Sequence, residues 1–442
     1  MIAMKVHRFR RSTFTRNVLA VATGIAAAQG ISLLFTPLLT RIYGPEIFGS
    51  LAIFNTAVSI GLPLVTLGYP AAIVQAREEK GAIALARLSL LSVAVVIPVV
   101  FFCIFLFQES LVSWIGAPVA PGLLYLIPLA LLFGALLSVG NQVAIREGLF
   151  QEKARSYVAS TLVTNLGKLA AGLISPSSLA LVGIASIRGL LNFTLLLALI
   201  QQRGVFAIRR WFGFAGAADA AKEHSHFALY RMPQSVLNAT AVGLPIILLT
   251  SLSGVGTAGQ YSLTTQVLGA PMVLLGTSVG EVFYPKITRA IQNRSRDAWD
   301  HTVKATFALA ATGLIPFGLV VFFGPELFSV LLGAEWYRAG EYAQWVAPWL
   351  AMTLATRPIV AAFPVLRLQA YLLGQEVFSV IARASAIMVG VVYFGSDLVA
   401  VALFSMVGAG LMIALALVGF WRLRREVDSW KKEDLQLKLR RR

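Results

Sequence analysis

The sequence predicts an all-α, multi-pass membrane protein: about twelve transmembrane helices in two pseudo-symmetric six-helix lobes, with both termini in the cytoplasm. Three observations predict it. The 442 residues are 57% hydrophobic and only 13% charged, with a mean hydropathy of +0.77. A soluble domain carries about a quarter charged residues, so a soluble globule and a disordered chain are both excluded. The apolar residues also come in runs of roughly 20, the length that crosses a hydrocarbon core about 30 Å thick. Finally, the basic residues collect at alternate ends of those runs, as the positive-inside rule requires.

Residues 1–17 carry Lys5, Arg8, Arg10, Arg11 and Arg16 ahead of the first apolar run, and form a basic cytoplasmic N-terminus. The run that follows exceeds the 7–15 residues of a signal-peptide core, so it reads as an uncleaved first span. The N-lobe, 18–202, holds spans at 18–40, 49–76, 84–107, 122–145, 158–174 and 179–202. A cytoplasmic interfacial linker, 203–227, separates it from the C-lobe, 228–421. There the spans fall at 228–252, 260–284, 302–323, 343–366, 371–395 and 397–421, before a basic cytoplasmic tail at 422–442.

Charge sets the orientation. Of 37 Lys and Arg residues, 31 fall in the termini and the alternate loops on one side. Only Arg41 and Arg338 fall in loops on the other. This asymmetry puts both ends in the cytoplasm and demands an even number of spans. A net charge of +17 would point to nucleic acid in a soluble protein. Here the loops account for it, and no nucleic-acid partner is expected. Cys103 has no second cysteine to pair with.

The two lobes carry traces of a repeat. Leu38-Leu39-Thr40 with Gly44 and Gly49 recurs 210 residues later as Leu248-Leu249-Thr250 with Gly254 and Gly259. Six spans per lobe insert both halves in the same orientation, with a substrate path expected between them. Prolines inside spans (Pro63, Pro98, Pro128, Pro245, Pro271, Pro316, Pro348) are candidate kinks that free backbone carbonyls. The linker run Val205 to Phe212 interleaves apolar and basic residues around Trp211, as does the tail from Trp421 to Arg442. Both read as segments drawn to an anionic inner leaflet.

Signatures of covalent chemistry are missing. No Gly-rich phosphate loop precedes a Lys-Ser/Thr, no nucleophile motif stands out, and no cofactor or metal is expected; His224-Ser225-His226 beside Glu223 reads as a solvated loop. The intramembrane charges carry the chemistry instead. Four cations, Lys168, Arg188, Arg357 and Arg383, lie well inside their runs. Each costs about 2.5–3.5 kcal/mol to insert at the centre of a span, so together they cost on the order of 10–14 kcal/mol. Such residues face a wet cavity or a partner. With few acids at depth, they define a cationic lumen suited to an anionic cargo such as a pyrophosphate. Lys168 and Arg383 sit on corresponding spans of the two lobes. Asn55, Asn238 and Gln266 are secondary candidates, since a sugar chain needs polar groups along its path.

Several motifs resemble one known family. The first span ends in Pro37-Leu38-Leu39-Thr40-Arg41-Ile42-Tyr43-Gly44-Pro45-Glu46-Ile47-Phe48-Gly49, followed by Thr66-Leu67-Gly68-Tyr69. Later come Tyr230-Arg231-Met232-Pro233, Ala258-Gly259-Gln260-Tyr261-Ser262, Phe283-Tyr284-Pro285 and Leu332-Gly333-Ala334-Glu335-Trp336 with Ala339-Gly340. In this order they resemble the polysaccharide-biosynthesis flippases, the Wzx-type members of the multidrug/oligosaccharidyl-lipid/polysaccharide exporter superfamily. The resemblance implies a MATE-like fold in a bacterial inner membrane. It implies translocation of an undecaprenyl-pyrophosphate-linked oligosaccharide (O-antigen, capsule or exopolysaccharide repeat) by alternating access, without enzymatic chemistry. It also implies coupling to a proton or sodium ion and partnership with a polysaccharide polymerase and chain-length regulator; Glu281, a carboxylate at the inner end of span 8, is the candidate coupling residue. Arg41 and Tyr43, inside the matched turn, become gate or turn candidates.

Two relatives of that fold fit less well. Lipid II flippases resemble it but place arginines inside their first two spans, which here carry none. Multidrug and toxin extrusion antiporters take cationic cargo and keep buried acids in one lobe, and the first seven spans lack a mid-membrane Asp or Glu. A membrane glycosyltransferase would need an acidic catalytic pair; the longest outer loop, with Glu326, Glu335 and Glu341, shows no such pairing.

Overall fold

The computed structural model describes residues 13–115, 121–201, 208–295 and 297–440. Twelve helices of 20 to 44 residues dominate them. They are α1 (Thr13–Ile42), α2 (Pro45–Thr66), α3 (Glu79–Ile115), α4 (Leu126–Arg146), α5 (Phe150–Ile174) and α6 (Ser178–Gln201). After the linker come α7 (Met232–Ser253), α8 (Val255–Gln292), α9 (Asp297–Leu332), α10 (Tyr337–Ala361), α11 (Gln369–Met388) and α12 (Asp397–Arg440). Each overlaps one predicted span. Among the described residues, ten are long and apolar enough to cross a membrane; α10 falls outside that group, and the side chains of residues 274–285 in α8 are not among those described. In α10, Gln344 and Arg357 dilute the apolar run. Large apolar side chains such as Val95, Val99, Phe102 and Phe105 on α3, or Phe307, Leu314 and Phe322 on α9, are exposed, as a lipid-facing surface requires. The chain is a multi-pass helical membrane protein.

Two compact units divide it, Met1–Gly259 and Gln260–Arg442. Within the first, helices close on small residues, the usual device where lipid offers no hydrophobic drive for association. A Cβ at Gly24 of α1 would lie 2.6 Å from Ala154 Cβ of α5, and one at Gly172 of α5 would lie 2.8 Å from the Tyr43 ring. Gly189 of α6 sits as closely on the backbone of α4 at Phe133, and Gly243 of α7 on Thr56 of α2. The two matched glycines 210 residues apart also meet. A Cβ on Gly259 would fall 1.9 Å from the Pro45 carbonyl and 2.7 Å from Gly49 N.

Some boundaries depart from the sequence expectation. The second span ends at Thr66 rather than residue 76, because Leu67 (φ 50°) and Gly68 (φ 73°) turn into the left-handed region. Glycine takes that conformation without steric cost. A 3-10 segment, Tyr69–Gln75, follows. The tenth span starts earlier and ends at Ala361. The candidate kink prolines lie within helices, whereas non-helical dihedrals occur at Phe107 of α3 and Phe323 of α9. The second break precedes Pro325, which cannot donate to the Val321 carbonyl four residues back. Gln344 Nε2 of α10 donates to that carbonyl at 3.0 Å, so the freed acceptor is satisfied across the helix pair.

The linker and tail are drawn into protein rather than simply laid on lipid. Trp211 is only 2% exposed, packed with Leu85, Val139 and Phe193 in the core of the first unit. Arg87 of α3 holds the segment there, donating to the carbonyls of Arg210 and Ala215 at 2.9 Å each. Phe212 and Phe214 remain exposed. The tail continues α12 as a helix to Arg440. At 1.5 Å per residue its 44 residues reach about 66 Å, roughly twice a hydrocarbon core. Leu423, Val427 and Trp430 are buried with Ile287, Ile291 and Phe363 in the core of the second unit. Val205, Lys431, Lys432, Lys438 and Arg440 to Arg442 lie outside the residues whose side chains are described.

Candidate functional site

In the first unit, α5 is an unusually polar membrane helix. Ser156, Ser160, Thr161, Thr164 and Asn165 are all buried along it. Most bond back to the carbonyls of their own helix, Ser160 and Thr161 both to that of Tyr157. That arrangement lets polar residues pack inside a span without partners from elsewhere. Tyr157 and Lys168 stand about three turns apart and therefore share a face of α5. On the adjacent α6, Arg188 is exposed and lies 5.7 Å from the Tyr157 ring centre; its Nη2 donates to the Tyr157 hydroxyl at 3.5 Å. Lys168 is half-buried and close enough to Arg188 for the two charges to act on one another. Neither has a carboxylate ion pair among the described residues. Two neighbouring cations without a counter-charge make this face attractive to an anion.

The second unit holds the other two. Arg357 of α10 is exposed and has no hydrogen-bond or ion-pair partner among the described residues. Arg383 of α11 is half-buried in the corner formed by two aromatic rings, with its guanidinium carbon 4.2 Å from the Trp349 ring centre and 4.0 Å from that of Phe404. Trp349 and Phe404 meet edge to face at 5.6 Å and 86°, and Tyr261 stands edge-on to Phe404 at 6.1 Å and 88°. Cation–π contact of this kind offsets part of the desolvation of a buried guanidinium.

The secondary candidates are scattered. Asn55 on α2, Asn238 on α7 and Gln266 on α8 are all exposed, as is Arg41 at the end of α1. The Glu281 side chain lies outside the described residues. Tyr43 is fully buried, and its hydroxyl donates to the Lys168 carbonyl at 2.8 Å. It therefore locks the end of α1 to the turn of α5 that presents Lys168. Near the other end of the same helix pair is a cleft of about 600 Å3, lined by Thr23, Gly24, Ala27, Gln151, Ala154 and Arg155 among others. His224 lies 3.9 Å from Glu223, but no group of three metal-ligating side chains occurs among the described residues.

One polar cluster escaped the sequence reading. Arg338, at the start of α10, donates to Glu341 at 2.7 Å and forms a two-point ion pair with Asp397, the first residue of α12. The Tyr342 hydroxyl donates to the same carboxylate, which also accepts from Leu398 N at 2.8 Å. An acid at a helix start is stabilised by the helix dipole, so Asp397 both caps α12 and ties it to α10. Asp397 follows Gly395-Ser396, a helix-start pattern, and Arg338 was one of only two outer cations. Those two signals together could have paired them.

These helices, the intramembrane cations and the two units define a membrane protein of the multidrug/oligosaccharidyl-lipid/polysaccharide exporter fold. Solved structures agree. A multidrug-resistance MATE family transporter in its inward-facing conformation aligns with a TM-score of 0.66 at 15% identity, covering 91% of this chain and 96% of the other. The lipid II flippase MurJ, inward closed, aligns with a TM-score of 0.69 at 11% identity, covering 94% and 91%. Within that fold, the chain belongs to the polysaccharide biosynthesis protein family, whose profile matches residues 38–341. The succinoglycan biosynthesis transport protein ExoT of Rhizobium meliloti (strain 1021) is 26% identical over 329 residues, 74% of this chain. The chain spans 64% of that relative's length.

Proposed function

We propose that the protein is a flippase that moves an undecaprenyl-pyrophosphate-linked oligosaccharide across the bacterial cytoplasmic membrane by alternating access. The observation that carries the reading is the set of four cations inside membrane helices, Lys168, Arg188, Arg357 and Arg383, none ion-paired among the described residues. Leaving them uncompensated is expensive unless an anion visits. A pyrophosphate between a lipid and a glycan is such an anion, and guanidinium forks suit its oxygens. Membership of the polysaccharide biosynthesis family supports a glycan as the cargo. The Rhizobium relative, a succinoglycan biosynthesis transport protein, supports a polysaccharide precursor as the cargo.

The same charges argue against a cationic drug as cargo, because four positive groups would repel it. Asn55, Asn238 and Gln266 would line the glycan's path, and a proton or sodium gradient would drive the cycle, with Glu281 as its candidate carrier. The experiment is complementation of a strain lacking the protein. The wild-type gene restores surface glycan; Lys168→Gln, Arg188→Gln, Arg357→Gln and Arg383→Gln proteins, present at normal level, restore little. Full restoration by all four variants overturns the reading, as would drug sensitivity with intact surface glycan in the deletion strain.

A further inference from the structure

We propose that the cleft between α1 and α5 binds an anionic glycerophospholipid of the inner leaflet, with one acyl chain in the cleft and the phosphate on Arg155. The site is separate from the four intramembrane cations and does not depend on what the protein transports.

The cleft follows from the way the two helices touch. They run in the same direction, meeting where Gly24 faces Ala154 and again where Tyr43 faces Gly172. At the first contact a Cβ on Gly24 would lie 2.6 Å from Ala154 Cβ, so no side chain holds the backbones apart there. Ala20, Ala27 and Ala159 flank that contact and end at Cβ. Side chains this short leave a trough beside the contact, of about 600 Å3. Thr23, Ala27 and Arg155 are exposed along it, so it opens at the surface.

Both helices leave the cytoplasm at these ends, which places the trough in the inner-leaflet half of the span. An open apolar trough in hydrocarbon does not stay empty. Lining atoms without neighbours forfeit dispersion contacts, and acyl chains are the surrounding solvent.

The rim selects the headgroup. Arg155 stands five residues after Phe150, the first residue of α5, and just ahead of the apolar run 158–174, where headgroups meet acyl chains. Gln151 lies one turn below it on the same face. Arg155 has no hydrogen-bond or ion-pair partner among the described residues, and Glu152, its nearest acid along the helix, is buried in the helix packing instead. A guanidinium only donates, and its planar fork matches the two free oxygens of a phosphodiester. The Gln151 amide adds a donor beside it. One guanidinium balances one phosphodiester charge, whereas a diphosphate brings more charge than this rim supplies. A zwitterionic headgroup carries its own ammonium and gains less from Arg155. The bound lipid would tie α1 to α5 at the end opposite the Tyr43–Lys168 hydrogen bond.

The test equilibrates the purified full-length protein with equal amounts of phosphatidylglycerol and phosphatidylcholine bearing the same acyl chains, and counts retained lipids by native mass spectrometry. Wild type should prefer phosphatidylglycerol about fivefold, the worth of one basic residue against an anionic headgroup. Arg155→Gln should abolish the preference and Arg155→Lys should keep most of it. Ala27→Leu fills the trough and should reduce retention of both lipids. Arg424→Gln, which removes an exposed cytoplasmic arginine of α12, is the control and should match wild type. No preference in wild type overturns the site, as does a preference that survives Arg155→Gln or falls equally in Arg424→Gln. Displacement of phosphatidylglycerol by undecaprenyl pyrophosphate also overturns it, because the groove would then belong to the cargo's path.

Discussion

Gly49 and Gly259 offer a sharp test of how the family motifs act. Replacing either with alanine adds one methyl group to a contact that has no room. At Gly259 the new carbon would fall 1.9 Å from the Pro45 carbonyl oxygen, and at Gly49 it would fall 2.0 Å from that of Val255. Relief requires the first turn of α8 to move from α2 by about 1 Å, against backbone that cannot rotate away. Overpacking costs about 1–3 kcal/mol, and backbone contacts put this case at the upper end. Helix propensity returns about 1 kcal/mol for Gly→Ala, leaving a net loss of about 2 kcal/mol. Gly30 and Gly269 are controls, because nothing lies within 4 Å of a Cβ there. Gly30→Ala and Gly269→Ala should be neutral or gain up to about 1 kcal/mol. The assay is the temperature at which detergent-solubilised protein loses its monodisperse peak. Because one contact is shared, the double variant should lose less than the summed singles. Equal midpoints for Gly259→Ala, Gly49→Ala and the controls would refute the reasoning.

Tyr43→Phe removes one buried hydrogen bond, to the Lys168 carbonyl, and should cost about 1 kcal/mol of stability. Unchanged stability with lost glycan export would make Tyr43 a gate residue rather than a lock. Asp397→Asn strips the charge that Arg338 and Tyr342 both engage, with expected destabilisation of about 2–3 kcal/mol. Restoring neutrality with Arg338→Gln in the same protein should recover part of that loss, and a thermal-unfolding double-mutant cycle without coupling would contradict the cluster. Trp211→Ala empties a buried indole site in the first unit and should cost about 3–5 kcal/mol; a lipid-seated Trp211 would instead show a small change in stability and a loss of membrane affinity.

Much of the fold is legible in the sequence because a membrane reduces the problem to counting. Run length fixes which segments are helices, and each predicted span meets one of the twelve long helices. Ends are harder to read. Nothing in the apolar stretch after Thr66 announces that Leu67 joins Gly68 in the left-handed region, so run length alone makes the second span too long. Trp211 misleads for a different reason: an aromatic among basic residues suits a lipid interface and a protein core equally, and only the carbonyl contacts of Arg87 decide. The cations are visible as a census, since Lys168, Arg188, Arg357 and Arg383 stand out against apolar neighbours. Their surroundings are not. Trp349 and Phe404 lie on other helices from Arg383, with no spacing rule to link them. Asp397 is legible only as an acid at a helix start that an outer-loop cation can match. The family motifs serve packing where they can be seen: Gly49 meets Gly259, and Gln260 bonds to Glu335 O at 2.7 Å and to Ala339 N at 3.0 Å.

The proposed flippase uses intramembrane positive charge to meet a negative headgroup in transit. Reconstituted vesicles measure this directly, by the rate at which a fluorescent polyprenyl-pyrophosphate oligosaccharide becomes accessible to an external quencher. Wild type should flip it quickly, and a protein with glutamine at Lys168, Arg188, Arg357 and Arg383 should not, although equally folded. Flipping at the wild-type rate by that quadruple variant would overturn the proposed role of the four cations.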